Sequence, residues 1–417
     1  MKNIYTLCTC ILIFVSFSGC NKPETDSVAA ASEEVLGRNI VAWHEVFPLQ
    51  TESNDRNHEE ELSPTGYNGS KPFQRWDLTP EIKTNFAGIA FSKDYKEDRG
   101  HVYAWEDLFE TVRTGPESPA ACLTCKTSDV ELVFAEEGWG YAANKLDGYY
   151  ESAHAGMDCF TCHDPDSKHL RVIQPAYIEA VEANWKPLSE LTEKEMRTAV
   201  CAQCHSEYYF VPDSKQVVFP WAEGLTPENM YTYYEAQPSG FTGDYTNPLS
   251  DTRLLKAQHP DFEMFQSGVH ASAGVSCADC HMPRVTAVDE TGESSTITQH
   301  WITSPLRTIE ASCLTCHAGK SDSWILERVA YIQDNVFESL RRSGLAIEEA
   351  HKAIADSSMM TKELEEPRAL LREAQWYWDF VASANSTGFH NTDLAMNSLN
   401  KAMDLAYKSI VMVALNQ

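Results

Sequence analysis

The run Cys122-Leu123-Thr124-Cys125-Lys126 constrains this chain more than any other stretch. Two cysteines two residues apart, followed directly by a metal-ligand side chain, form the attachment frame of a c-type haem: two thioethers hold the vinyl edges and the next residue ligates iron. Four further frames occur at Cys159/Cys162, Cys201/Cys204, Cys277/Cys280 and Cys313/Cys316, and these end in His163, His205, His281 and His317. A single CxxC fits a redox dithiol, half a zinc site or a disulfide just as well. The cysteine arithmetic removes those options. Ten of the 13 cysteines lie in the five pairs, and the other three, Cys8, Cys10 and Cys20, lie in the N-terminal segment. The body of the chain therefore keeps no cysteine for a disulfide or a zinc site, and five covalently bound haem c groups are expected.

The first frame ends in lysine where the others end in histidine. An amine must lose a proton of reference pKa about 10.4 before it can ligate, and burial against a macrocycle can lower that value. So awkward a ligand suits an iron whose task differs from the others. Lys126 is expected to hold the one iron with an open distal face, where substrate binds.

Residues 1–20 run from Lys2 through an apolar core to Phe17-Ser18-Gly19-Cys20, the order of a secretory signal peptide. A cysteine directly after small residues at the cleavage point resembles a bacterial lipobox, which makes Cys20 the expected lipidated N-terminus; the plainer alternative is an ordinary cleaved signal. Either way the chain is expected on the periplasmic side of a bacterial membrane, where c-type haem is attached, and a lipidated Cys20 would give it membrane contact through the lipid anchor. Residues 21–36 are polar or small and read as a tether. The formal net charge of −28 leaves no basic stripe for phosphates, so no nucleic acid partner is expected.

Residues 37–100 show no sustained hydrophobic period and read as irregular structure wrapped on a haem core. The five frames follow between about 100 and 320, with first cysteines 37, 42, 76 and 36 residues apart. That spacing repeats a ligand frame and not a folding unit. Residues 37–320 are taken as the pentahaem catalytic domain and 321–417 as a long-helix region. There Ile325, Val329, Ile332, Val336 and Leu340 form a helical stripe, a second run covers about 361–384, and a third covers 392–415 with Leu399, Met403, Ala406, Ile410 and Val413 on one face. These stripes fit core packing inside one subunit and equally a helical homodimer interface. The fold class expected is mainly α, a multihaem cytochrome c fold with a haem-packed core, long C-terminal helices and little β-structure.

A haem that only carries electrons is usually capped on both faces, so the four CxxCH frames need four distal ligands. Of 14 histidines, four are proximal and ten remain. His270 and His300 lie on segments leading into the fourth and fifth frames, and His154 before Cys159 is placed similarly. The residues alone do not choose four from ten.

The same stretches resemble the pentahaem cytochrome c nitrite reductases, which form ammonium. The likeness rests on one CxxCK followed by four CxxCH, on Arg113-Thr114-Gly115 upstream, on Cys201-Ala202-Gln203-Cys204-His205-Ser206-Glu207-Tyr208-Tyr209-Phe210, and on Lys256-Ala257-Gln258-His259. It runs from about residue 37 to the end. The resemblance implies that Lys126 is the proximal ligand of the catalytic haem, and that Arg113, Tyr208 and His259 line its distal pocket. It implies one calcium ion held by the side chains of Glu207 and Gln258 and the backbone carbonyls of Tyr208 and Lys256. By position it makes His101 the distal ligand of the third haem, His270 of the fifth, His300 of the second and His390 of the fourth, and His154 a non-ligand. It further implies nitrite as substrate, a homodimer, and a membrane-bound quinol-oxidising multihaem cytochrome as electron donor.

These roles suit the chemistry. Reducing nitrite to ammonium consumes six electrons and eight protons, so the site needs fixed positive charge, proton donors and several electron stores. Arg113 is a permanent cation with planar donors, His259 shifts between donor and acceptor near neutral pH, and Tyr208 can donate. Glu207 and Gln258 offer the hard oxygens calcium prefers. Without the resemblance, Glu207-Tyr208-Tyr209-Phe210 reads as a buried aromatic segment with one exposed acid, and Arg113 as half of a surface salt bridge. Two other functions compete: a pure electron-transfer cytochrome, with all five irons six-coordinate, and a reductase of another small substrate such as sulfite or hydroxylamine. Lys126 argues against the first, and only kinetics separates the second.

Overall fold

The computed structural model describes residues 37–115, 117–150 and 156–416. The signal segment with Cys20, the tether and His154 lie outside them. The described chain is mainly helical, with three small two-stranded antiparallel sheets, in keeping with the expected fold class. The segment read as irregular does contain three short helices, Ile40–Val46, Pro48–Asp55 and Ile82–Asn85, the first capped by the Asn39 side chain accepting from Ala42 N and the second opened by proline.

The haem-frame region is built of short pieces. Helix α1 (Glu193–Ala202) leads into the third frame and starts at a capping box, Thr192 with Glu195. Strands β1 (Tyr209–Phe210) and β2 (Val217–Val218) follow it, then β3 (Tyr245–Asn247) and β4 (Thr252–Leu254). Tyr245 pairs with Leu254, which aims the chain into Lys256-Ala257-Gln258-His259. The hairpin of β5 (Arg284–Val288) and β6 (Ser294–Thr298) separates the fourth frame from His300.

Three helices close the molecule: α2 (Asp322–Ala355), α3 (Glu365–Ala382) and α4 (Thr392–Leu415). Ser321 caps α2 by accepting from Trp324 N, and Asn391 caps α4 by accepting from Leu394 N. The Ile325–Leu340 stripe is buried, as are Trp376, Tyr377, Trp378 and Phe380 of α3 and Leu399, Ala406 and Val413 of α4. The hydrophobic period therefore reports core packing within one subunit. The core is continuous from these helices to the frame region, and the indole N–H of Trp376 donates to Pro227 O while that of Trp378 donates to Leu340 O.

His351, in α2, is fully buried between the Ser250 hydroxyl (2.7 Å) and the Gln375 amide oxygen (3.0 Å). Burial pushes its imidazole down to about 4. Because the folded state disfavours the charged form, this contribution to stability is complete above about pH 6.5 and is lost as pH falls to about 4, a change of roughly 3 kcal/mol. His351→Gln is expected to flatten the acid limb of the thermal-stability curve between those values. Parallel curves for parent and variant would show that His351 does not govern it.

Candidate haem and anion site

The four histidine pairs implied by the resemblance face one another. Ring centroids lie 6.2 Å apart for His163 and His300, 5.9 Å for His101 and His205, 6.3 Å for His281 and His390, and 6.3 Å for His270 and His317. An imidazole nitrogen sits about 2 Å from a first-row metal with its ring centre about 1 Å behind, so two rings on opposite sides of one iron are about 6 Å apart. Each pair thus has the spacing that one metal ion requires.

The backbone sets these rings. His163 Nδ1 faces Lys168 O at 2.9 Å, His281 Nδ1 faces Thr303 O at 3.0 Å, and His300 Nδ1 faces Thr298 O at 2.9 Å. A carbonyl can only accept, so each Nδ1 carries the hydrogen and Nε2 is left to ligate. Burial pushes His101 down to about 3 and His300 and His390 to about 4, which keeps them in the neutral form a metal needs. His390 is delivered by Gly388, at φ +81° with the Val336 side chain where a β-carbon would fall. Gly268 lets the His270 segment lie against the carbonyl of His390.

The frames also touch. Cys125 lies close to Cys204, Cys201 to Cys277, and Cys280 to Cys313. The first, third, fourth and fifth frames therefore form a spatial series, with Cys162 of the second close enough to Cys204 to act on it.

Cys316 differs from the other frame cysteines in its surroundings. It is exposed, whereas the other nine frame cysteines are partly buried. The reason is its place at the end of the series. The fifth frame closes the haem-frame region, and from Thr315 the chain runs through an exposed stretch, residues 315–320, before Ser321 caps α2. No later frame covers that side. A thioether needs only a reachable sulfur and not burial, so the fifth frame keeps its local geometry while one of its two attachment points faces solvent.

Lys126 follows the 3₁₀ turn Ala120–Cys125, and Thr124 Oγ1 ties that turn to Ala121 O and to the Tyr141 hydroxyl, each at 2.6 Å. Arg113 Nε donates to Thr111 Oγ1 at 3.2 Å, and its guanidinium lies 4.9 Å from the Phe91 ring centre. Tyr208 is close to Cys122, Cys125 and Arg113, and burial raises its phenol well above the usual range, so it keeps its proton. His259 Nδ1 lies 3.0 Å from Asp261 Oδ2.

Two acids escaped the sequence reading. Asp98 Oδ1 stands 3.9 Å from Arg113 Nη2. Its side chain is three-fifths exposed; the partial desolvation it meets opposes ionisation, but Lys126, Arg113, His259 and Arg75 outweigh that and hold its carboxyl below the usual range. Asp261 faces His205, His259 and His390 at 3.6, 3.0 and 3.7 Å, and the histidines outweigh burial in keeping it ionised. Sitting two residues beyond His259, Asp261 carried a weak signal; Asp98 carried none.

Glu207 is fully buried, which corrects the reading of it as an exposed acid. Its Oε2 accepts from Gln258 N at 2.6 Å and its Oε1 from the Tyr234 hydroxyl at 3.0 Å. Among the described residues it makes no ion pair. Burial raises its carboxyl well above the usual range, and nearby Glu263, pushed up to about 8, adds to this. A carboxylate so placed holds either a proton or a cation. Gln258 brings its amide 3.1 Å from Lys256 O, so a half-turn of that amide sets a second oxygen beside the carbonyl. The donor set is all oxygen and fits calcium.

Residues 39–416 match the cytochrome c552 family. The chain belongs to that family. Over 82% of its length it is 37% identical to a cytochrome c-552 of Parabacteroides distasonis, covering 70% of that protein. Over 94% it is 33% identical to the cytochrome c nitrite reductase subunit NrfA of Nitratidesulfovibrio vulgaris, covering 82% of it. The solved cytochrome c nitrite reductase catalytic subunit of Desulfovibrio desulfuricans, a structure with two calcium sites, superposes with a TM-score of 0.84 at 30% identity, covering 93% of this chain and 87% of that one. No helix among the described residues is long and apolar enough to cross a membrane.

Proposed function

We propose that this cytochrome c552-family chain is an ammonium-forming cytochrome c nitrite reductase that works on the periplasmic side of a bacterial membrane. The observation that carries the reading is the combination of four opposed histidine pairs with one remaining frame, the first, which ends in Lys126 near Arg113, Tyr208 and His259. The five cysteine pairs would hold five haem c groups, and His163/His300, His205/His101, His281/His390 and His317/His270 would cap four of them. Bound there, the haems supply an iron that takes the substrate and stores that deliver its six electrons.

The chain's own residues do the rest. Arg113 draws the anion in and orients it through planar donors. Tyr208 stays protonated and donates a hydrogen bond. His259, its Nδ1 3.0 Å from Asp261 Oδ2, would pass a proton to the bound substrate. Glu207 and Gln258, with the carbonyls of Lys256 and Tyr208, would hold one calcium ion, which would add fixed positive charge to the segments that carry Tyr208 and His259. Exposed Tyr407, Val411 and Leu415 on α4 offer the apolar surface a second copy would cover in a homodimer. A lipid at Cys20 would tether the subunit, and a membrane-bound quinol-oxidising multihaem cytochrome would supply electrons.

The test is ammonium recovered per nitrite consumed by the haem-loaded protein with a low-potential reductant. Recovery near one-to-one is expected. No recovery, with all five haems present, would replace nitrite by another substrate such as sulfite or hydroxylamine.

A further inference from the structure

Lys256 and Asp379 form an ion pair that no solvent reaches, both side chains being 0% exposed. Lys256 Nζ lies 2.9 Å from Asp379 Oδ1 and donates to Ser383 Oγ at 2.7 Å, against the rings of Phe86 and Phe91. The other carboxylate oxygen, Oδ2, accepts from Ala257 N at 2.8 Å, and Ser383 Oγ donates to Ala257 O at 2.9 Å. Asp244 Oδ2 accepts from Lys256 N at 2.8 Å. Helix α3 thus grips the backbone of residues 256 and 257 from more than a hundred residues away in sequence.

The Ala257 N–H and the Lys256 carbonyl belong to one peptide unit. In a trans peptide these two point in opposite directions. An acceptor fixed on the N–H side therefore fixes where the carbonyl points, which is toward the Gln258 amide, on the segment that Glu207 holds by Gln258 N. A carboxylate on the N–H side also polarises the unit and makes its oxygen a better cation ligand.

We propose that Asp379 is a positioning residue for the cation site, orienting and polarising the Lys256 carbonyl through the Ala257 N–H, with Lys256 Nζ as the counter-charge that allows the carboxylate to be buried. The inference rests on the calcium reading given above.

Replacing Asp379 alone would strand the Lys256 ammonium, so paired variants are used. In K256M/D379N an acceptor for Ala257 N–H survives without its charge; in K256M/D379L the acceptor is gone. Calcium affinity is measured calorimetrically on haem-loaded, chelator-stripped protein, with the thermal midpoint and haem spectrum checked first. Relative to parent, affinity is expected to fall about tenfold in K256M/D379N and about a hundredfold in K256M/D379L, the range for partners one shell out from a metal. Affinity equal to parent in folded K256M/D379L overturns the clamp and leaves the calcium site standing. A parent that binds no calcium, and matches E207Q in the same titration, overturns both.

Discussion

Lys126→Leu is expected to lower nitrite turnover by roughly a hundredfold or more while all five haems remain attached. The substitution touches neither cysteine. The turn that presents them is held independently, by Thr124 Oγ1 on Ala121 O and the Tyr141 hydroxyl and by the burial of Leu123. The thioether frame should therefore form, and only the axial ligand is lost. The four histidine pairs lie on other segments, so their low-spin absorption should persist unchanged, and the altered signal should belong to one haem in five. Lys126→His separates ligation from identity: imidazole restores a nitrogen ligand of a different kind, and turnover between parent and leucine variant is expected. Parent-like nitrite reduction by the leucine variant would remove Lys126 from the catalytic site.

The parts of this molecule that were legible in the sequence are those where chemistry demands residues at fixed spacing. The thioether frames are local, so five of them could be counted directly, and the 3.6-residue period located α3 and α4 to within a few residues, while for α2 it marked the stripe to Leu340 but not the helix end at Ala355. The frame motif says nothing of its surroundings, however, which is why Cys316 could stand exposed while the other frame cysteines are partly covered. The period could not say what the helices bury, because one apolar stripe serves a core and an interface alike; Val336 and Leu399 proved to be core. The distal histidines were hidden for a different reason. His101 and His205 meet across about a hundred residues of chain, and His281 and His390 likewise, so no local pattern links them. Only the resemblance proposed those pairs. The Asp379 contact with Ala257 lay beyond both routes: an aspartate in an aromatic helix looks like a solvated acid until the fold closes over it. Asp98 was similarly mute, since its significance depends on Arg113 and Lys126 approaching from another segment.

Arg113→Gln is expected to lower kcat/KM for nitrite by roughly 10²–10³-fold, as removal of a donor aimed at developing or bound negative charge commonly does. The structure suggests why little can substitute. The guanidinium is set by Thr111 Oγ1 and the face of Phe91, so its fork arrives pre-oriented. Arg113→Lys keeps the charge and loses the fork, and should recover KM more than kcat. Asp98 works in the opposite direction. Its carboxylate, 3.9 Å away and three-fifths exposed, competes with nitrite for the same cation. For a pair so open to solvent that competition is worth about 0.2–1 kcal/mol, so Asp98→Asn should lower KM by up to about fivefold with kcat nearly unchanged. The sign with pH follows. Because neighbouring cations hold the Asp98 carboxyl below its usual range, it is ionised throughout the neutral region, and its opposition to anion binding is present there in full. It is lost only as pH falls through that depressed value. The KM advantage of the asparagine variant should accordingly be constant from neutral to mildly acidic pH and shrink only toward strong acid; an advantage that instead grew on acidification would rule out Asp98 as the competitor.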